Sequence, residues 1–316
     1  MKITILDKAS LGDDTPLDIL TEFAQVTAYD TTAPELLTER CKGTDVIIIN
    51  KIKITRDVLK EAHGLKLICV FATGFDNVDV AAAKEFGVAV TNVPGYSTDS
   101  VALFTVATAL SLFTHLTEYR KYVADGEYTR SGVPNKLTPV YRELSGKVWG
   151  IVGLGNIGSA VARAASALGA KVIACKRTPV KEYECVGIDE LCKRSDVISL
   201  HCPLNEETRE IINKERISMM KDGVMIVNEA RGAVVNESDV RDAVLSGKIG
   251  GFGCDVYSVE PFGSEHPYND IKELDNVILT PHAAWGSYES RKRCIEIIAS
   301  NILAFFSGKV QNRVDL

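Results

Sequence analysis

The stretch KVWGIVGLGNIGSAVARAASALGAKVIAC, residues 147–175, decides the fold. It opens on an apolar run, Val148–Val152, and passes through Gly153-x-Gly155-x-x-Gly158. An alanine-rich helical segment then leads into a second apolar run, Lys171–Cys175. Strand, glycine turn, helix and strand in about 30 residues make the βαβ unit that holds a dinucleotide. Gly153 permits the tight turn, Gly155 lets a pyrophosphate approach the backbone, and Gly158 packs helix on strand. Asn156 and Ile157 begin the helix, whose N–H groups and dipole favour the anion. The same glycines could serve only as a tight connection, but the flanking strands and the helix favour the dinucleotide.

The end of the second strand qualifies that reading. A nicotinamide cofactor with a free ribose 2′-hydroxyl normally meets a carboxylate about 20 residues along the unit. Here Lys176, Arg177 and Thr178 stand 23 to 25 residues after Gly153, with no acid among them. A cation and a hydroxyl suit a 2′-phosphate. NADP(H) is therefore the preferred cofactor, with NAD(H) as the alternative.

Similar short apolar runs recur on both sides of this unit. Ile3–Leu6, Asp45–Ile49, Leu67–Phe71 and Val88–Thr91 precede it, and Val197–Leu200, Val224–Asn228, Gly250–Val256 and Val277–Thr280 follow. Uniformly apolar strands separated by helical stretches predict parallel sheets covered on both faces, a doubly wound α/β architecture. A long helical pattern from Ser100 to about Ala124 separates two such sets. A polar segment follows it around Arg130–Glu143, with Gly132, Pro134 and Pro139 as breakers. The tail Tyr288–Phe306 has helical period.

Composition narrows the function classes. The 316 residues are 46% apolar and 25% charged, with 36 basic against 42 acidic side chains and a net charge of −6. That is ordinary globular material of about two domains. Without a basic block there is no electrostatic case for nucleic acid or an anionic membrane. The longest stretch free of Asp, Glu, Lys and Arg, Ser100–Thr117, has Ser, Thr or His at seven of its eighteen positions, so a buried helix is expected rather than a span. Charges at Lys2, Asp7 and Lys8 argue against a secretory signal. Eight scattered cysteines without a C-x-x-C spacing point to thiols in the cytoplasm and to no metal site.

Three further segments put ionisable residues just beyond strands, where sites gather in open α/β sheets. Arg231 follows Val224–Asn228, Glu260 stands five residues after Asp255, and His282 follows the last strand. Taken singly, each has a structural explanation. Taken together with FATGFDNVDVAAAKEFGVAVTNVPGYSTDSVA (71–102), VGLGNIG (152–158), HCPLNEET (201–208), NEARGAVV (228–235), DVYSVEP (255–261) and PHAAW (281–285), the chain resembles the D-isomer-specific 2-hydroxyacid dehydrogenases over nearly its whole length. The Arg231–Glu260 and Glu260–His282 separations of 29 and 22 residues match as well. NVPGYSTDSV, Asn50-Lys51 and PHAAW look most like the glycerate dehydrogenase (hydroxypyruvate reductase) branch.

The resemblance implies a Rossmann cofactor domain over 99–287 and a flavodoxin-like substrate domain from 1–98 and 288–316, with an interdomain cleft. It also implies a homodimer. The reaction is hydride transfer between NAD(P)H and a small 2-oxo acid of the hydroxypyruvate or glyoxylate type, giving a D-2-hydroxy acid. Arg231 would clamp the substrate carboxylate and polarise the keto group through its planar fork. His282 would act as general acid or base, with Glu260 orienting it and favouring its protonated form. Thr73 and Gly74 would bind the substrate carboxylate, and Lys51 and Trp285 would line the substrate site. Asp255 would hold the nicotinamide carboxamide, while His201 and Pro203 lie along the adenosine.

Three departures stand out. Leu103 occupies the place of a frequent Glu, and Glu229 that of a small or hydroxylic residue, where a carboxylate would weaken an anion-attracting field. The chain also ends too soon for the regulatory domain of long phosphoglycerate dehydrogenases. Two rivals remain open. One is a dehydrogenase for lactate-like or longer 2-hydroxy acids; the other is a non-catalytic nucleotide-sensing regulator on the same fold.

Overall fold

The computed structural model describes residues 1–316, which divide into two compact units: Met1–Ser97 with Gly286–Leu316, and Thr98–Trp285. Strands of the first unit are β1 (Lys2–Ile5), β2 (Gln25–Ala28), β3 (Val46–Ile49), β4 (Leu67–Val70) and β5 (Ala89–Thr91). Those of the second are β6 (Val148–Val152), β7 (Lys171–Cys175), β8 (Glu184–Cys185), β9 (Val197–Leu200), β10 (Val224–Asn228), β11 (Ile249–Cys254) and β12 (Val277–Leu279). In chain order the helices are α1 (Asp18–Thr21), α2 (Pro34–Cys41), α3 (Arg56–Glu61), α4 (Val80–Glu85), α5 (Thr98–Phe113), α6 (Leu116–Ala124), α7 (Glu127–Ser131), α8 (Asn156–Ala167), α9 (Ile188–Arg194), α10 (Lys214–Met219), α11 (Glu237–Leu245) and α12 (Tyr288–Phe306).

The first unit is a five-stranded parallel sheet in the order β2-β1-β3-β4-β5, the flavodoxin-like doubly wound order. Its central strands, VIII in β3 and LICV in β4, are buried at every position because helices cover both faces. Edge strand β2, QVTA, is mostly exposed, and its polar composition gave the sequence no strand signal. The Arg291 guanidinium of α12 ties that helix to the N-terminal segment through bonds to Asp14, Thr15 and the Leu11 carbonyl.

The second unit is a seven-stranded parallel sheet ordered β12-β11-β10-β9-β6-β7-β8. The order runs outward in both directions from β6 and β9, so the topological switch point lies between those two strands, at the mouth of the glycine turn. Here α5 packs on α8, β10 and β11. The expected single helix from Ser100 to Ala124 is two, α5 and α6, bent by 66°. The break falls at His115, which is left-handed at φ 53°, and the ring Nδ1 of His115 meets Glu118 Oε1 at 2.9 Å. Thr105 and Thr114 return their hydroxyls to carbonyls four residues back, a bond that competes with regular helix. Neither helix alone is long and apolar enough to cross a membrane. The two-residue β8 is an edge strand too short to leave a periodic trace.

Candidate functional site

At the C-terminal end of β6 the chain turns through Gly153 into α8. A Cβ on Gly158 would lie 2.1 Å from the Gly153 carbonyl oxygen, so the helix approaches the strand more closely than any side chain permits. Gly155 differs, because an added Cβ there meets no protein atom within 4 Å. The protein has no steric need of that glycine, and no side chain caps the helix it precedes. Open space beside uncapped N–H groups fits a pyrophosphate. Asn156 and Ile157 form the first helical positions. Beyond β7, Lys176, Arg177 and Thr178 are exposed, as is Pro203 after β9.

Strand β10 ends at Asn228, which is fully buried. Its side-chain oxygen accepts the Ala230 N–H at 3.1 Å, and its nitrogen donates to the Arg231 carbonyl at 3.0 Å. This local turn fixes the Arg231 backbone, and the guanidinium reaches back to the Ala230 carbonyl at 2.9 Å. The next residue, Gly232, packs so tightly that a Cβ would come 2.0 Å from the Tyr257 carbonyl carbon. The Arg231 turn therefore rests directly on the loop that carries Glu260.

On that loop, Glu260 Oε1 accepts the Tyr257 N–H at 3.0 Å and Oε2 lies 2.7 Å from His282 Nδ1. Further along, Glu237 at the start of α11 accepts the Ser258 N–H and hydroxyl, and its Oε2 lies 3.1 Å from His266 Nε2, an approach too bent for a full hydrogen bond. Tyr257 donates to the Thr280 carbonyl at 2.8 Å and packs edge-on against Phe262. The Glu260 loop is thus held at both ends.

His282 has φ 54°, a left-handed conformation unusual for a residue with a side chain. Asp255, 1% exposed, over-determines it. One carboxylate oxygen accepts the Thr280 hydroxyl at 2.6 Å and the Ala283 N–H at 2.8 Å, and the other accepts the Ala284 N–H at 2.9 Å. Sequence reasoning gave Asp255 a ligand and missed this clasp, as it missed Asn228, Glu237 and Ser258. Asn228, at a strand end before Arg231, carried a turn signal; the others are joined to their partners only by the fold.

Two residues near these turns are strongly shifted by their surroundings. At Glu229, burial, reinforced by neighbouring Asp255, pushes the carboxyl up to about 9, toward its neutral form. His201 is partly buried, but both of its ring nitrogens are shut away from solvent and lack a hydrogen-bond partner, and their desolvation pulls it down to about 3. In the first unit, the Thr73 hydroxyl donates to the Val93 carbonyl and its own carbonyl accepts from Asn92, which fixes the turn into Gly74. Lys51 follows β3, with its N–H on Asp7. Trp285, which ends the second unit, is half-buried.

The family model for the D-isomer specific 2-hydroxyacid dehydrogenase NAD binding domain matches residues 106–284. A hydroxypyruvate reductase of Blautia hydrogenotrophica is 39% identical over 326 aligned positions covering all of both chains. A glycerate dehydrogenase of Methylorubrum extorquens is 35% identical over 99% of each. Among solved structures, D-lactate dehydrogenase of Aquifex aeolicus, complexed with NAD and lactic acid, superposes with a TM-score of 0.86 at 32% identity, over 100% of this chain and 99% of that one. The arrangement of strands, glycine turn, Arg231, Glu260 and His282 and the likeness along the whole chain agree: this protein belongs to the D-isomer-specific 2-hydroxyacid dehydrogenase family, in its glycerate dehydrogenase (hydroxypyruvate reductase) branch.

Proposed function

We propose that this protein is an NAD(P)H-dependent reductase of small 2-oxo acids, hydroxypyruvate or glyoxylate in type, yielding D-2-hydroxy acids. The observation that carries the reading is the 2.7 Å pairing of His282 Nδ1 with Glu260. The nicotinamide, when bound, supplies the hydride that goes to C2. The keto oxygen needs a proton at the same time. With Nδ1 engaged by the carboxylate, His282 presents Nε2 as the atom that delivers it. Arg231 holds the substrate carboxylate bidentately and polarises the carbonyl. Asp255 has about four acceptor positions, of which the His282 loop takes three, leaving one for the carboxamide. In this reading Thr73, Gly74, Lys51 and Trp285 keep their substrate-binding role, the first unit is the substrate domain, and the second is the cofactor domain.

NADP(H) is the preferred cofactor in this proposal, supported by the basic end of β7, where Lys176 and Arg177 replace the acid that a free 2′-hydroxyl requires. A cytoplasmic location accords with eight free cysteines. A homodimer accords with the exposed apolar side chains Leu103, Leu116, Val123, Leu137 and Val140 along α5, α6 and the loop that follows α7.

A panel of 2-oxo acids, assayed with NADH and NADPH by loss of nicotinamide absorbance, tests the reading. Hydroxypyruvate and glyoxylate are expected to give the highest kcat/KM, with NADPH ahead of NADH. Pyruvate or longer substrates leading would favour the lactate-like rival, and cofactor binding without turnover would favour a sensor. His282→Ala is expected to lower kcat by about 10³-fold with cofactor Kd unchanged.

A further inference from the structure

Four strand ends stand side by side in the second unit's sheet, in the order β6, β9, β10, β11. In the last common rung, Asn228 pairs with Leu200 on one side and Cys254 on the other. One residue further on come His201, Glu229 and Asp255, in register. The glycine turn adjoins this row, since a Cβ on Gly153 would fall 2.7 Å from the His201 carbonyl carbon. The row thus leads from the phosphate turn to the clasp that sets His282, with Glu229 one strand from that clasp and two residues from Arg231.

Buried polar atoms are nearly always hydrogen-bonded, yet two side chains of this row are not. Glu229 Oε2 and both ring nitrogens of His201 are buried without a partner. Orphaned polar atoms on the path of a dinucleotide are atoms that a ligand would answer.

We propose that Glu229 is a proton site coupled to the oxidation state of the bound cofactor, keeping its proton beside the uncharged reduced nicotinamide and releasing it to solvent beside the cationic oxidised ring. The inference rests on the cofactor reading above. No bond to the cofactor forms or breaks; only a proton passes between the carboxyl and water. A carboxyl whose ionisation is pushed up by burial and by the neighbouring Asp255 is poised to respond to an added positive charge. Besides Asp255, the titratable groups placed along this row are Cys254, which ends β11 and feels the Glu229 charge, His201, which follows β9 and is pulled toward its neutral form by burial, and Arg231, two residues further on in the turn after β10. The inward faces of α5 (Val101, Ala102, Thr105) and α8 (Gly158, Val161, Ala162) bring no charge. Linkage then fixes the sign: raising the pH toward 9 must strengthen binding of the oxidised form relative to the reduced form.

The test is calorimetric binding of NADP+, NADPH, NAD+ and NADH between pH 6 and 9, in buffers of different ionisation enthalpy. Working in the His282→Ala background removes the histidine's own titration. With Glu229 present, the oxidised forms are expected to release part of a proton at pH 8 and the reduced forms much less. The ratio of their dissociation constants should move about tenfold in favour of the oxidised form from pH 6 to 9. Glu229→Gln and Glu229→Thr should abolish both effects while still binding all four nucleotides. Equal proton release by oxidised and reduced forms, or release that persists in both variants, would overturn the proposal. Failure of every nucleotide to bind the His282→Ala protein and the wild type would instead overturn the cofactor reading itself.

Discussion

His201 and Glu229 show how one environment moves two titratable groups in opposite directions, each away from its charged form. The folded state holds His201 down at about 3, below its ordinary 6.5, so stability falls as acid protonates the unfolded chain below pH 6.5. Glu229 is raised to about 9 from its ordinary 4.5, so its contribution is fully present below pH 4.5 and is lost as pH climbs through 9. Each slope is at most about 1.4 kcal/mol per pH unit. Between pH 4.5 and 6.5 they oppose and nearly cancel. Denaturant melts across the pH range are expected to show His201→Phe flattening the acid limb and Glu229→Gln flattening the alkaline one. An alkaline limb of unchanged slope in Glu229→Gln would mean that the carboxyl is ionised in the native state. Arg231, Glu260 and His282 were legible as site candidates because each lies just beyond an apolar run and because, taken together with the other quoted stretches, they resemble a known family; singly each had a structural explanation. Glu229 looked like an anion in sequence because its burial depends on strands that the sequence does not place beside it.

Among the elements, the turn from β6 into α8 separates what the fold needs from what a ligand needs. Gly158→Ala drives a Cβ to 2.1 Å from the Gly153 carbonyl oxygen, and a loss of about 1–3 kcal/mol is expected from overpacking. Gly155→Ala meets no protein atom, so its stability should change by less than about 1 kcal/mol. Its dinucleotide Kd should nevertheless rise by at least about tenfold, because the new methyl takes the space where phosphate would approach the N–H groups. Thermal melts and nucleotide titrations on both variants check this; unchanged Kd in Gly155→Ala would remove the phosphate from the turn. The strands that sequence found, such as β3 and β6, are central and uniformly apolar. Those it missed, β2 and β8, are edge strands whose polar or very short sequences carry no period. The α5–α6 break escaped notice because a left-handed His115 interrupts a continuous apolar pattern without a Gly or Pro.

At the scale of the whole molecule, the expected assembly can be tested directly. Leu137 and Val140 are 75% and 73% exposed, and Tyr141 of the same loop meets Tyr119 of α6 edge-on. Apolar side chains gathered in this way on a surface mark a protein contact. Light scattering should give twice the chain mass of 34.4 kDa, and Leu137→Glu with Val140→Glu should bring it to a single chain. A monomeric wild type would overturn the dimer. The sequence by itself determined the two parallel α/β sheets and the glycine turn between strand and helix, because strand burial and turn chemistry are local and leave periodic or positional marks, and its resemblance to a known family singled out Arg231, Glu260 and His282 as candidates. Tertiary structure alone decided that Asp255 clasps the His282 loop, that Glu237 holds the loop of Glu260, and that burial beside Asp255 pushes the Glu229 carboxyl toward its neutral form. Those properties arise where strands and loops far apart in the chain meet, and water excluded from that meeting sets the charge.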